Sequence, residues 1–428
     1  MHNKTSGANT DSATPNTERV VTREFVIVTF SGIFALIGFS STLPLIPRYV
    51  EGELGGTKLE VGIAVGIFAI SAVLARPFIG RMGDQRGRRF IIVAGCATTA
   101  ISVAAHAMAA SLPMLYVVRL VMGMTQGAFF VGTATLVNDL APAHRRAQAT
   151  SYFSVAIYSG MAFGPLLGET VQARAGFGWA FVAGGGALLV AAGVAMMLPA
   201  RVPRRIDEID MADTGDGFGD EIGDGAGPDV LAPPSRWSGL LHLGAIWPGA
   251  ILFCGIVAFT ALNSFMPLYV EEWDLGSAGP VFVVYGLAVL AVRLLGAKVP
   301  DRWGTKRATA FALAGQVVGL TVMGAYTTTI GLYGGALILA VGGSMLYPAL
   351  LTAAVYQVPS HQRAKATSTF SMAFELSAGI AGPALGVAAS IGGNRAAFFA
   401  AAFFAALGFP LLALWAGSKP HKLIPASA

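Results

Sequence analysis

Charged residues are scarce in this chain. They make up 12 % of its 428 residues, whereas a soluble domain usually carries about 25 %. Hydrophobic residues make up 54 %. So little charge cannot cover a water-soluble globule of this length. The composition therefore excludes a soluble domain, a disordered chain, collagen and a small disulfide scaffold, and it predicts a protein whose main partner is a lipid bilayer.

Several chemical signatures are also missing from the sequence. The two cysteines, Cys96 and Cys254, both lie inside apolar runs, so no structural disulfide is expected. No Gly-x4-Gly-Lys-Ser/Thr loop is encoded, which excludes an ATP-driven pump of that type. Metal-spaced cysteines and histidines and a nucleophile with its base are absent too. We therefore expect no enzyme, no metal and no cofactor.

Apolar runs of about bilayer length fill most of the chain. They cover residues 25–47, 60–79, 90–110, 112–137, 148–172, 177–198, 245–270, 277–298, 307–326, 329–356, 365–391 and 395–416. A run of about 20 apolar residues predicts a membrane-spanning helix, because lipid cannot satisfy free backbone groups. The sequence thus predicts an all-α membrane protein with twelve transmembrane helices in two six-helix bundles.

A polar stretch rich in Asp, Gly and Pro separates the two sets of runs. It holds nine acidic residues between Asp207 and Asp229, although the net charge of the chain is +5. A solvated connector is the favoured interpretation, and a regulatory segment is the alternative. The predicted organisation is a polar tail at 1–22, a bundle at 23–199, a linker at 200–240, a bundle at 241–417 and a tail at 418–428.

Lysine and arginine fix the predicted orientation. If the N-terminus is cytoplasmic, 21 of the 28 basic residues fall on the cytoplasmic side and only Arg48, Lys58, Arg174 and Arg395 fall outside. Three more, Arg76, Arg119 and Arg293, lie within spans. This bias predicts that both termini are cytoplasmic, and it argues for membrane topology rather than nucleic-acid binding.

The second half of the chain repeats the first at a nearly constant offset. An offset of 217 residues maps LYVVRLVMG from Leu115 onto LYGGALILA from Leu332, and it maps Arg76 onto Arg293 and Gly87 onto Gly304. Two equivalent six-helix halves in the same orientation can rock around a central site, which is the geometry of alternating access.

The loop after the second span carries the most specific motif. Gly80, Asp84, Gly87, Arg88 and Arg89 match the pattern Gly-x-x-x-Asp-x-x-Gly-Arg-(Arg/Lys), and the chain here resembles the major facilitator superfamily. A weaker second copy retains Asp301 and Gly304. The resemblance implies a conformational latch in which Asp84 faces the start of the eleventh helix and Arg88 pairs with Asp139. Simple positive-inside topology with a turn is the alternative interpretation.

The fifth span resembles an antiporter signature of this family. Gly160, Gly164, Pro165 and Gly168 match Gly-x-x-x-Gly-Pro-x-x-Gly-Gly, with Glu169 in place of the last Gly. The resemblance favours export by exchange over uptake, as in the twelve-span drug:proton antiporters. A helix-packing role for the small residues is the alternative.

Glu375 is the one acid placed well inside a span, so we predict that it is a proton site. The alternative, equally weighted, is a structural acid bonded to a neighbour or paired with Arg293. Arg119, in an Arg-x-x-x-Gly pattern of the fourth span, is the second predicted proton-coupling residue. Its alternative is a side chain that snorkels to the outer interface. For His106 we expect packing.

The cavity of this fold is lined by helices one, four, seven and ten. Its predicted polar or aromatic residues are Phe39, Thr42, Gln126, Asn263 and Tyr347, with Tyr158 and Phe163 from helix five. Such a wall suits a hydrophobic or amphipathic organic compound and argues against a phosphorylated or strongly anionic one.

The sequence therefore predicts a proton-coupled exporter of a small organic compound. The proton gradient is its energy source, and the plasma or inner membrane is the expected location of a monomer. The alternatives are an uptake permease or uniporter for a metabolite and, in a different class, a non-transporting membrane sensor or scaffold.

Overall fold

A computed structural model describes residues 21–142, 145–199, 243–295, 303–356, 358 and 363–417. Within these residues all regular structure is helical. The first half contains α1 (Arg23–Ser40), α2 (Leu45–Arg48), α3 (Lys58–Arg86), α4 (Arg88–Ala105), α5 (Leu112–Leu140) and α6 (Arg146–Ala195). The second half contains α7 (Ile246–Glu272), α8 (Ala278–Leu295), α9 (Thr305–Ala325), α10 (Thr329–Tyr356) and α11 (Arg363–Gly417). The whole predicted linker, the C-terminal tail, residues 1–20, Asp301 and the Asp84 side chain lie outside the description.

The helices have the length and composition of membrane spans. Ten candidate spans are found among the described residues, and the first of them runs from α1 through α2 and a π-helical turn at Tyr49–Glu53. This confirms the predicted all-α membrane fold. The helix of the seventh span, α7, is the most buried of these candidates, because 89 % of its most apolar 18-residue stretch lies inside the protein.

Two helices are too long for one crossing. With 50 and 55 residues, α6 and α11 would each be about 75 Å or longer, more than twice the ~30 Å hydrocarbon layer. Each is interrupted near its middle. Gly176 has φ 85°, and Gly393 has φ 74°, a left-handed conformation that glycine adopts without a Cβ penalty.

The contacts of α6 with α1 show that the chain reverses at Gly176. Along 146–175, Gly160 faces Leu36 and Gly168 faces Ser41, so this part runs parallel to α1. Along 177–195 the order is inverted, because Ser31 donates to the Ala191 carbonyl whereas residues nearer Gly176 meet the end of α1. We call these two parts the fifth and sixth spans.

The same reversal occurs in α11. Ser377 donates to the Phe253 carbonyl near the start of α7, and beyond the break Asn394 bonds to Glu272 at the end of α7. Farther along, Phe398 packs edge-on against Tyr269, so the direction is inverted. We call the two parts, 363–391 and 394–417, the eleventh and twelfth spans. The described chain is therefore consistent with twelve spans.

The repeat seen in the sequence is also visible in the backbone. Gly87, between α3 and α4, has φ 85° and ψ 158°. Its equivalent Gly304, before α9, has φ 76° and ψ 154°. Two positions that are 217 residues apart thus make the same tight turn, one for which glycine is suited.

Buried side chains form a large core in each half, a small second cluster in the first half and a core shared between the halves. The shared core joins Leu45, Ile46 and Val50 of the first half to Phe265 and Tyr269 of the second. These residues lie at the end of the bundle that the charge pattern predicts to face outside, which we call the outer end. The two halves are therefore packed together at the outer end.

Candidate functional site

The two halves meet along two helix pairs, and the first pair is a contact between glycines. It joins α3 to the eleventh span, and we call it the glycine interface (Gly62, Gly66, Gly379, Gly382, Gly386). A Cβ placed on Gly62 would overlap the Gly382 carbonyl, and a Cβ on Gly66 would lie 2.7 Å from the Gly379 carbonyl oxygen. The backbones touch because neither helix has a side chain between them.

The second pair joins the fifth span to α8 and contains charged groups. We call it the polar interface (Tyr158, Ala162, Glu169, Gly279, Arg293). In its middle Ala162 packs against Gly286, where a Cβ would lie only 2.7 Å from the Ala162 Cβ. Toward the outer end Glu169 crosses to the start of α8, and toward the other end Arg293 crosses to Tyr158.

Glu169 is a buried carboxylate that caps a helix of the opposite half. Only 5 % of the residue is exposed. Its Oε2 accepts hydrogen bonds from the Ser277 hydroxyl, at 2.5 Å, and from the Gly279 backbone N–H. Gly279 lies in the first turn of α8, where backbone N–H groups lack helical partners and the helix dipole favours negative charge. Its Oε1 lies 3.1 Å from Arg48 Nη1.

Further ion pairs connect the halves around Glu169. Arg48 Nε lies 3.5 Å from Glu271, and Lys58 Nζ lies 3.8 Å from Glu272, whose carboxylate also accepts from Asn394. These residues line an outer cleft of about 700 Å³. The outer end is therefore held by an apolar core with a rim of ion pairs and hydrogen bonds.

Sequence reasoning noted Glu169 only as a departure from the antiporter motif and missed its partner. The sequence indicated only the depth, because Ser277 and Gly279 begin the eighth run at the same predicted outer level as Glu169. Ser is a common capping residue, but here the cap comes from the other half of the chain.

The small residues of the antiporter motif pack on the other side of the fifth span. A Cβ on Gly160 would overlap Leu36, and one on Gly164 would lie 2.6 Å from the Ser40 Cβ. Gly168 meets the Ser41 backbone in the same way, and Pro165 lies inside the helix. These glycines therefore allow close contact with α1, whereas the face that meets α8 carries Ala162 and Glu169.

Glu375 lies on the face of α11 that carries the glycine interface. It precedes Gly379 by one turn, and a Cβ on Gly379 would lie 3.0 Å from Ile70 of α3. The Glu375 residue is half-buried. By the repeat offset its equivalent is Tyr158, so each half places a polar side chain at this level of its interface. Its role in proton coupling stays a prediction.

Arg119 is buried with a backbone partner. The residue is 3 % exposed, its Nε donates to the Ala64 carbonyl at 3.0 Å, and its guanidinium lies 4.7 Å from the centre of the Phe68 ring. This burial does not fit a side chain that snorkels to water. His106, whose Nδ1 lies 2.8 Å from the Ser102 carbonyl, stacks beside Phe181.

The structure brings together the predicted latch pair of the first half. Arg88 Nε lies 3.2 Å from Asp139 Oδ2, with about a quarter of each side chain exposed. The pair joins the start of α4 to the end of α5. Gly80 lies in α3, Gly87 makes the turn after it, and Arg89 is half-buried in the first turn of α4. The latch function stays a prediction.

The predicted cavity residues are only partly gathered. Tyr158 and Tyr347 interact electrostatically across the two halves. Phe39 packs against Phe68, while Thr42 and Asn263 bond to carbonyls of their own helices. Gln126 is half-buried. Phe163 is 44 % exposed and lies about 140° around the helix from Tyr158, so it does not share the face of Tyr158.

A family model described as Major Facilitator Superfamily matches this chain over residues 28–329 and again over 269–427. The first match alone covers more than half of the chain. The overlap of the two matches agrees with the internal repeat.

Two curated relatives illustrate the similarity. An uncharacterised MFS-type transporter of Salmonella typhimurium is 28 % identical over 375 residues, which cover 86 % of this chain and 89 % of that protein. The quinolone resistance protein NorA of Staphylococcus aureus is 29 % identical over 146 residues, which cover 34 % of this chain and 37 % of NorA.

Solved structures share the fold at low sequence identity. A peptide transporter of the POT type has a TM-score of 0.71 at 14 % identity, with 92 % of this chain and 94 % of that chain covered. The nucleoside transporter NupG has a TM-score of 0.69 at 12 % identity, with 92 % and 100 % covered.

Proposed function

The chain belongs to the Major Facilitator Superfamily, and on that premise we propose that this membrane transporter exports a small amphipathic organic compound in exchange for protons. The observation that carries the proposal is the polar interface. At its outer end, and at the rim beside it, hydrogen bonds and ion pairs join the halves and can break and reform, as alternating access requires.

The direction of transport is supported by two sequence similarities. The glycine and proline motif of the fifth span resembles the antiporter signature, and its glycines fit tightly against α1. The relative in Staphylococcus aureus is a quinolone resistance protein, which supports export of a drug-like compound.

In this mechanism the outer end opens when a specific set of contacts between the halves breaks. Glu169 leaves Ser277 and Gly279, Arg48 leaves Glu271, and Lys58 leaves Glu272. All of these contacts join the two halves, so a rocking motion breaks them together. The within-half pairs, such as Arg88 with Asp139, are not required to break.

Proton coupling is assigned to Glu375, with Arg119 as the second candidate. The half-buried position of Glu375 in the interface between the halves supports the assignment, because a proton bound there can alter the contact that moves. Arg119 has no carboxylate within 4.0 Å among the described residues, so its charge is compensated by a carbonyl and a ring. We further propose a cell-membrane location with both termini cytoplasmic.

Transport in proteoliposomes tests this proposal. The purified full chain is given fluorescent aromatic compounds of positive, zero and negative charge, with and without a pH gradient. We expect at least one compound to move against the proton flow, and to stop when an ionophore collapses the gradient. Movement with the protons would make the protein a permease, gradient-independent counterflow alone would make it a uniporter, and no flux of any compound would support a scaffold.

The matched variants Glu375→Gln and Glu271→Gln assign the proton site. Glu375→Gln should abolish gradient-driven flux and keep counterflow, whereas Glu271→Gln, at the exposed rim, should keep both. Undiminished gradient-driven flux in Glu375→Gln would remove this residue from the mechanism.

A further inference from the structure

Arg293 is a cation inside the membrane without an acidic partner in the described part of the chain. Among those residues no carboxylate lies within the 4.0 Å ion-pair distance of its guanidinium, and its Nε is buried without a hydrogen-bond partner. Its repeat-equivalent position, 76, lies ten residues before the end of α3, or about 15 Å along the helix. A cation at this depth without a carboxylate partner is costly, and such residues usually contact substrates or ions.

The Arg293 guanidinium contacts one tyrosine that belongs to a group of three. It lies 4.8 Å from the centre of the Tyr158 ring, which belongs to the fifth span of the first half. Tyr285 interacts electrostatically with both Tyr158 and Arg293, and Tyr347 of α10 interacts with Tyr158. The cluster therefore draws on both halves, and Arg293, Tyr158 and Tyr347 are only half-buried, which leaves it open on one side.

A second unpaired polar group lies beside these tyrosines. Gln316 is 5 % exposed, and its Oε1 has no hydrogen-bond partner among the described residues. A Cβ placed on Gly343 would lie 3.5 Å from Gln316 Nε2 and 4.0 Å from the Tyr285 hydroxyl. Gly343 thus leaves space next to both groups. Buried polar atoms normally find partners, and their absence here points to a missing ligand.

We propose that Arg293, Tyr158, Tyr285 and Tyr347 bind the carboxylate of an aromatic monocarboxylic acid. The guanidinium fork matches a carboxylate in two hydrogen bonds, phenol hydroxyls add donors, and the tyrosine rings contact the apolar body. One cation accounts for one negative charge, so a phosphorylated compound is not expected. The inference rests on the proposed function, since it names the class of compound that the transporter carries.

A ligand in this cluster touches both halves at once. Tyr158 belongs to the first half, and Arg293, Tyr285 and Tyr347 belong to the second. The bound acid would therefore stabilise the arrangement in which the halves meet here, and its release would follow their separation. A cluster that served only packing would not leave Arg293 Nε and Gln316 Oε1 without partners in the described structure.

Binding of two matched probes tests the site. Calorimetry is performed on the full chain in lipid nanodiscs with 2-naphthoate and with 2-naphthamide, which has the same shape without the charge. Hydrogen bonds to a charged group contribute enough for a tenfold to hundredfold preference, so we expect about that preference for the carboxylate. No preference in the wild-type protein, whether both probes bind or neither does, would overturn the proposal.

Three variants and one control locate the preference. Arg293→Gln should remove it while the amide still binds with unchanged affinity, which also shows that the variant is folded. Arg293→Lys should keep part of it, and Tyr158→Phe should weaken the carboxylate about threefold. Arg174→Gln, at the exposed outer end of the fifth span, is the control and should change nothing. Survival of the preference in Arg293→Gln, or an equal loss in Arg174→Gln, would contradict the site.

This measurement is independent of transport. Because binding is recorded at equilibrium without a gradient, selective binding without proton-driven export would overturn the proposed function and leave the site standing. Export without a carboxylate preference would do the reverse.

Discussion

The glycine interface and the polar interface are equivalent by the internal repeat and yet differ in chemistry. The offset of 217 residues maps Gly62 onto Gly279 and Glu169 onto Gly386. In the glycine interface, Gly386 lies against the backbone at the start of α3, where a Cβ on this glycine would be 2.7 Å from the Lys58 carbonyl oxygen. In the polar interface the same place holds the Glu169 carboxylate.

The capping of the two equivalent helices differs accordingly. The start of α3 is capped locally, by Thr57 and Glu60 in a reciprocal capping box. The start of α8 is capped from the other half, by Glu169. At this end the glycine interface is packed backbone against backbone, whereas the polar interface depends on a carboxylate that crosses between the halves. We infer that the glycine interface serves as the pivot and the polar interface as the outer lock.

Steric expansion of the glycine interface should have the largest effect. Gly62→Leu places atoms on the Gly382 carbonyl, a backbone group that cannot rotate away. We expect this to destabilise the closed outer end by about 3 kcal/mol or more and to abolish transport. The readout is the distance between spin labels at Ala110→Cys and Ala325→Cys, in a background without Cys96 and Cys254.

Gly193→Leu is the matched control, because a Cβ on this sixth-span glycine would meet nothing within 4 Å. An unchanged label distance and unchanged transport in Gly62→Leu would show that the helices are not in contact as described.

Removal of the charge from Glu169 should have the next largest effect. Glu169→Gln keeps the shape but loses the ion pair with Arg48 and weakens the cap of α8. We expect the closed outer end to lose about 2 kcal/mol relative to the open one, which is about a thirtyfold shift in the ratio of their populations. The same label pair reports this ratio. Glu271→Gln is the control, since it faces the same Arg48 but its side chain is 69 % exposed and should contribute little. Equal effects of the two variants would refute a special role for the buried acid.

The sequence predicted the spans well because hydrophobicity is read locally. The gaps between the predicted runs, at 173–176 and 392–394, coincide with the breaks at Gly176 and Gly393. On either side of these glycines, α6 and α11 are continuous helices. The pairing of Arg88 with Asp139 was also accessible, since a family motif specifies it. In each case the needed information lies in a short stretch or in a known pattern.

The polar interface could not be predicted in the same way. The partner of Glu169 is more than 100 residues away, and no local pattern indicates which of the outer polar groups it meets. Phe163 shows the related difficulty that helical rotation decides whether a residue faces the cavity. The choice for Glu375 between proton site and structural acid depends on its protonation, which packing alone does not decide.

Removal of one donor from the lock should give a smaller shift. Ser277→Ala leaves Glu169 with Arg48 and the Gly279 N–H, so about 1 kcal/mol, or about a fivefold shift toward the open outer end, is expected. The label pair at Ala110→Cys and Ala325→Cys reports it. A shift as large as that of Glu169→Gln would mean that the hydroxyl, and not the charge, holds the interface.

The smallest effect is expected for the pair within the first half. Arg88→Gln breaks a partly exposed ion pair that joins α4 to α5 within one half, so the free-energy difference between the closed and open outer end should change by less than about 0.5 kcal/mol. A shift comparable to that of Glu169→Gln would support the latch predicted from the family motif and would require a second lock at the cytoplasmic end.

Two label distances measured in the same protein show whether the halves rock about the glycine interface. The outer pair at Ala110→Cys and Ala325→Cys and a second pair at Gln85→Cys and Arg307→Cys, at the opposite end, are measured in nanodiscs for the wild-type background and for Glu169→Gln. We predict that in Glu169→Gln the outer distance lengthens and the cytoplasmic distance shortens relative to the wild-type background. Distances that lengthen together, or an outer distance that changes alone, would contradict rocking of two rigid halves.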